Sequence, residues 1–299
     1  MSSRRPPACV FPSVRPFFSI INRIMKREQQ QPTQPTDKMR NYSKLIGALA
    51  AVSALAAGNA SAIDLNYNLH AGYTTEYLFR GLNLGTDLIE AGFDANADLG
   101  SGFSVNGGVW FANFQADDFA GVFGPNDRRS VNEIDIYANV AKDLGFATLS
   151  VGYIYYVNDG DDILVGDYGR NLDDAQEAVF RLSRDLGFAE AGVTYYWDTR
   201  GDNDGYLAAD LKKSFELNSC LTLNIGSVLG YYVEHGKLAH LTTKVSLDYE
   251  FAENAKLSPF VAGSVSLSDD GFDAAGNPRT LNTGAKNQFV AGLAISVDF

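Results

Sequence analysis

Eleven acids (Glu76, Glu90, Asp94, Asp98, Glu133, Asp135, Glu177, Glu190, Asp210, Asp248 and Glu250) and four bases (Arg80, Arg181, Lys212 and Lys244) stand at the polar positions of segments whose other positions are apolar. On one enclosed face, carboxylates would outnumber bases, and charge of one sign against low-dielectric walls enriches counter-ions. That is the chemistry of a passage for cations or neutral polar solutes. Its pore-lining candidates are Glu76, Arg80, Glu90, Asp94, Glu133, Asp135, Glu177, Arg181, Glu190 and Lys244. The competing reading is a filled lumen in which the same acids pair with Arg181, Lys212 and Lys244. Arg80 either lines a constriction with Glu76 or ties down the first loop by an ion pair.

Other chemistries find less support. Catalysis would need a nucleophile, a base and a third polar group held together, and no Gly-x-Ser-x-Gly marks one around His70, His240 or His235. An outer-membrane hydrolase is therefore a distant third to a channel and to a non-conducting structural or surface-binding barrel. Acidic clusters at Asp159-Gly160-Asp161-Asp162, Asp202-Asn203-Asp204 and Asp269-Asp270-Gly271-Phe272-Asp273 lack the ordered ligands of an EF-hand and read as solvated turns. No phosphate loop, zinc spacing or dinucleotide fingerprint is present, so no cofactor and no metal is expected. A net charge of −12 argues against nucleic acid, which needs a basic face.

The elements that must position these residues show a period of two. From Leu65 to Phe79, odd positions are apolar (Leu65, Tyr67, Leu69, Tyr73) and even positions polar (Asn66, Asn68, His70, Glu76). Successive side chains of a strand point to opposite faces, so one face is greasy and the other wet. The pattern recurs twelve times, least cleanly at Phe103–Phe114, and ends in Phe289–Phe299. Short connections, three of them reading Asp-Leu-Gly (Asp98–Gly100, Asp143–Gly145, Asp185–Gly187), alternate with long polar ones such as Arg80–Asp87 and Gln115–Ser130. Aromatics gather near both rims: Phe103, Phe146, Phe188, Tyr249, Phe251 and Phe299 at the short turns, and Tyr77, Phe79, Tyr153, Tyr155, Tyr195, Trp197 and Tyr231 at the long loops. Two such girdles flank a hydrocarbon band. The expected fold is all-β: an antiparallel transmembrane β-barrel of about twelve strands, with short periplasmic turns and long extracellular loops. A sandwich with an apolar interior is the alternative, but a closed barrel pairs every backbone polar group in lipid.

The charge is divided unevenly. Residues 1–62 carry nine Lys or Arg and two acids, which leaves 63–299 at −19. From Met39 the chain reads as a signal peptide: basic Arg40 and Lys44, apolar Leu45–Ala57, then Ala60-Ser61-Ala62, with cleavage between Ala62 and Ile63. Residues 1–38 read as a disordered extension or a start assigned ahead of Met39, residues 39–62 as the signal peptide, and 63–299 as the barrel. The destination is the bacterial outer membrane, and the partners are its lipid bilayer and small solutes.

Thr74-Thr75-Glu76-Tyr77-Leu78-Phe79-Arg80-Gly81-Leu82 carries an aromatic-x-Phe-Arg-Gly stretch at Tyr77, Phe79, Arg80 and Gly81. It resembles the signature near the start of the TorF-type porins of bacterial outer membranes, and the hairpin spacing and final Phe299 are similar as well. Leu82-Asn83-Leu84 departs from the small polar stretch common in that family. The resemblance implies an outer-membrane barrel with channel activity and no assigned substrate. Phe299 also resembles the C-terminal aromatic that outer-membrane barrel assembly machinery reads, which makes it the expected assembly signal.

Overall fold

The computed structural model describes residues 65–116, 129–159, 175–200, 205–267, 271–272, 278–279 and 287–299. The leader assignments, Ala62 and Ile63 included, lie outside these residues, as do all acids of the three loop clusters except Asp159. The strands are β1 (Leu65–Phe79), β2 (Leu82–Gly100), β3 (Phe103–Ala116), β4 (Arg129–Asp143), β5 (Thr148–Asp159), β6 (Ala175–Asp185), β7 (Glu190–Asp198), β8 (Tyr206–Asn218), β9 (Leu221–Tyr232), β10 (Lys237–Ala252), β11 (Ala255–Ser266), β12 (Gly271–Phe272), β13 (Pro278–Arg279) and β14 (Gln288–Asp298). Twelve of them close an antiparallel barrel: β1 to β11 pair each with the next, β11 pairs with β14, and β14 returns to β1, while β12 and β13 pair only with one another.

The alternation sets the two faces of the wall. Ile89, Phe93, Phe111, Val140, Val151, Val193, Leu211, Val261 and Ile295 all point outward and stay exposed, so the apolar surface lies on the outside of the barrel. An apolar exterior around polar interior positions is the inverse of a soluble barrel and suits a lipid surround. Phe146, Phe188 and Phe299 at the short-turn rim, each more than 60% exposed, and Tyr153 and Trp197 toward the other rim, bound that surface.

The Asp-Leu-Gly turns have a two-part cause. Gly100, Gly145 and Gly187 adopt φ of 77°, 83° and 83°. The amide of each donates to the Asp two residues earlier, at 2.8, 2.7 and 2.7 Å. The carboxylate thus closes an Asx turn while glycine supplies the left-handed backbone. Closure is sealed beside the C-terminus, where the Phe299 amide donates to the Tyr67 carbonyl at 2.9 Å and the Tyr67 amide to the Phe299 carbonyl at 3.2 Å.

Two expectations fail at one place. Arg80–Asp87 is no long loop: β1 and β2 are joined by Arg80-Gly81 alone, with φ of 50° and 81°. Two successive positive φ values match the twist of a two-residue hairpin. Tyr77 and Phe79 do not belong to the outer girdle either. Tyr77 is 7% exposed and packs inside the barrel with Leu88, Ala112, Phe114 and Val131, and Phe79, Leu84 and Trp110 lie against that cluster. The reason is that β1 stops pairing with β14 beyond Thr74 and the hairpin tip turns away from the wall, so alternation along the wall no longer decides which of its side chains face inward.

Candidate site: the inward hairpin and its cradle

The tip of the β1–β2 hairpin has left the barrel wall. The β1–β14 ladder ends at Thr74↔Gly292, and the β2–β3 ladder begins at Thr86↔Gln115. Between these points, Tyr77↔Gly85, Leu78↔Asn83 and Phe79↔Leu82 pair only across the hairpin itself. A second irregularity, Thr86/Ile89 in β2 with Asp87 at φ 55°, bends the same segment. Freed from both neighbours, the tip folds into the lumen, and the Tyr77 cluster anchors its base because it buries apolar side chains that the polar interior would leave wet.

At the tip, Arg80 crosses toward the far wall. Its Nη1 and Nη2 donate to Glu177 Oε1 and Oε2 of β6 at 2.7 and 2.6 Å. This is a bidentate fork, the strong geometry for a guanidinium on a carboxylate. The Tyr156 hydroxyl of β5 donates to the same Glu177 Oε2 at 2.9 Å. The guanidinium carbon lies 4.4 Å from the Tyr196 ring centroid, 4.7 Å from Tyr206 and 4.7 Å from Phe79, within cation–π range. Arg80 and Glu177 side chains are 17% and 10% exposed. Behind this cradle, Tyr206 Oη and His240 Nε2 are 2.7 Å apart, and His240 Nδ1 and Thr242 Oγ1 are 2.8 Å apart. Gly81 sits on His240, where an added Cβ would lie 2.5 Å from Cγ.

The other candidates are spread along the interior. Glu76 accepts from Asn83 Nδ2 at 2.9 Å, so Arg80 takes Glu177 and not Glu76 as its partner. Glu90 accepts from Trp110 Nε1 at 2.9 Å. Asp94 accepts from the Tyr137 hydroxyl at 2.5 Å and lies 3.5 Å from His70. Glu133 is buried beside Tyr77, and Asp135 lines the cavity with one oxygen, Oδ1, that has no hydrogen-bond partner. Arg181 forks onto Asp210 at 2.6 and 3.0 Å and reaches Glu190 at 3.3 Å. Lys244 Nζ lies 3.9 Å from the Phe260 ring centroid. Asp248 takes Lys256, a base absent from the interior set read from the alternation, at 3.8 Å. Among the described residues no Lys or Arg stands within ion-pair distance of Glu90, Asp94, Glu133 or Asp135.

The hairpin and the wall line an open cavity of about 610 Å³. Its lining combines the tip (Phe79, Arg80, Gly81) with wall residues from β3 to β5 and β7 to β10, among them Trp110, Tyr137, Ile154, Tyr156, Tyr196 and Tyr206. The alternation did not mark these inward aromatics as functional. Tyr156, Tyr196 and Tyr206 occupy even positions that are polar in most of these strands, and that departure was the available signal.

A model of a family described as "Bacterial protein of unknown function (Gcw_chp)" matches residues 56–277. No curated protein sequence matches the chain. Among solved structures, the COG4313 outer membrane channel from Pseudomonas putida F1 aligns at TM-score 0.48 and 10% identity, over 81% of this chain and 97% of that one. The KdgM porin aligns at TM-score 0.43 and 9% identity, over 78% and 99%. The outer membrane phospholipase A from Escherichia coli aligns at TM-score 0.39 and 14% identity, over 80% and 93%.

Proposed function

The chain belongs to the bacterial Gcw_chp family, whose function is unknown, and from that premise and the closed, apolar-jacketed barrel we propose a porin-like channel for passive diffusion of small solutes. A bacterial barrel with a lipid-facing exterior resides in the outer membrane. The observation that carries the reading is the lumen: a cavity of about 610 Å³, lined by inward aromatics with Asp135 and Arg80 among them and narrowed by a hairpin tip that is not part of the wall. The solutes are cations or neutral polar molecules, because Glu90, Asp94, Glu133 and Asp135 outnumber any base beside them, whereas Arg80 and Arg181 are engaged by carboxylates. The likeness of Tyr77-x-Phe79-Arg80-Gly81 to TorF-type porins supports the same reading, since those residues form the constricting tip. Cleavage after Ala62, recognition of Phe299 by the barrel assembly machinery, and the pore-lining role of the ten charged candidates complete the proposal.

Planar-bilayer recording tests it. Unitary current steps with a cation-selective reversal potential in asymmetric KCl are the expected result; absence of steps, or anion selectivity, overturns it. A second reading, a non-conducting barrel, draws on the Tyr77–Phe114–Trp110 cluster, which fills the side of the lumen next to β2–β4. Steps that persist with the tip in place would dismiss it. Hydrolysis has weaker support: His240 faces Tyr206 and Thr242, and His70 faces Asn68 and Asp94, so neither imidazole has a serine hydroxyl as its partner among the described residues.

A further inference from the structure

Arg80 is held the way a ligand is held. The groups around its guanidinium come from four separate strands of the wall: Glu177 on β6, Tyr156 on β5, Tyr196 on β7 and Tyr206 on β8. One supplies a planar bidentate acceptor, one orients that acceptor, and two present ring faces. A fork of oxygens beside two ring faces, with centroids 6.0 Å apart and planes tilted by 45°, is the chemistry that selects a flat, weakly hydrated organic cation over a compact metal ion. The occupant is tethered by little. Beyond Thr75 and Thr86 the tip pairs only with itself, so vacating the cradle breaks side-chain contacts and no rung of the barrel. The cradle also opens on the cavity of about 610 Å³, a volume ordinary for small-molecule sites.

We infer that the Glu177–Tyr156–Tyr196–Tyr206 cradle is a recognition site for small organic cations bearing a guanidinium or amine, and that Arg80 is its resident intramolecular occupant. Such solutes exchange with Arg80, and the exchange lets the tip swing about its Tyr77 anchor. This deepens the channel reading and rests on it by naming the solute class and the place where it is chosen. Because a tethered group competes at a high effective concentration, the site in the intact protein is weak and the hidden affinity appears only when Arg80 is removed.

The probe is agmatine, titrated calorimetrically into the full chain in detergent, with folding of each form checked by circular dichroism. Arg80→Ala is expected to bind agmatine at least tenfold more tightly than the unaltered protein, since the competitor is gone. Arg80→Ala/Glu177→Gln is expected to lose that binding, and Arg80→Ala/Tyr196→Leu to weaken it about fivefold by removing one ring face. Bilayer recordings of the same forms separate the two readings. Normal steps together with no tighter agmatine binding by Arg80→Ala overturn the inference and spare the channel. Tight binding that Glu177→Gln abolishes, with no steps in any form, supports the site and overturns the channel. Binding that survives Glu177→Gln also overturns the inference, because the cation would then sit elsewhere.

Discussion

Gly81→Ala should unseat the hairpin tip without disturbing the barrel, and the size of the effect can be worked out from two separable costs. Gly81 has φ 81°, where a side chain costs about 1–2 kcal/mol. That strain belongs to the two-residue turn and is present whether the tip is seated or swung out. The second cost is steric: the new Cβ would lie 2.5 Å from His240 Cγ and 2.6 Å from His240 Cβ, with the imidazole pinned by Tyr206 and Thr242. Overpacking of this kind costs about 1–3 kcal/mol, and it falls on the seated state alone. The seated-to-released ratio should therefore drop between about fivefold and 150-fold, at tenfold per 1.4 kcal/mol. Hydrogen exchange at the amides of Arg80–Asn83 reads the release directly, and single-channel recording reads its consequence as larger or longer-lived steps. His240→Gly in the same chain removes the clash and keeps the turn strain, so the double variant should return toward the exchange pattern of His240→Gly alone. Unchanged exchange and unchanged steps in Gly81→Ala would refute the claim that the tip is seated on His240. Failure of His240→Gly to restore the pattern would refute the assignment of the cost to the clash.

Three further outcomes follow from the same geometry. Tyr77→Ala empties the cluster with Leu88, Phe114 and Val131 and should destabilise the barrel by about 3–5 kcal/mol in denaturant unfolding; a loss below about 1 kcal/mol would put Tyr77 back on the lipid face. Arg181→Gln leaves Glu190 without its base and Asp210 with Lys212 alone, at 3.9 Å. Cation selectivity should rise, with a ceiling of roughly fivefold for one charge acting at about 1 kcal/mol, and a reversal potential moving toward anions would contradict the acidic lumen. Phe111→Arg places a charge on the outward face of β3 and should cost about 2–4 kcal/mol of folding free energy in bilayers, read from folded yield against urea; no cost would mean that this face does not meet lipid.

The wall of this protein was legible because its cause is local. Side chains of a strand alternate whatever the neighbours do, so Ile89, Phe93 and Val151 announced an outer face and Asp94, Glu177 and Arg181 an inner one before any strand was paired. The Asp-Leu-Gly turns were equally local, since donor and acceptor lie two residues apart. Parity reasoning failed at Tyr77 and Phe79 because beyond Thr74 β1 has no β14 partner and the tip turns into the lumen, and the end of a ladder leaves no mark in composition.

The sequence by itself determined the architecture: period-two patterning, twelve repeats, alternating turn lengths and an acidic face are properties of neighbouring residues. The tertiary structure alone decided the site. Arg80 and Glu177 are 97 residues apart, and each has other plausible partners along the chain. Only barrel closure, which sets how far β1 and β2 outrun their neighbours and brings β5 to β8 within reach of the tip, selects that pair and surrounds it with Tyr156, Tyr196 and Tyr206.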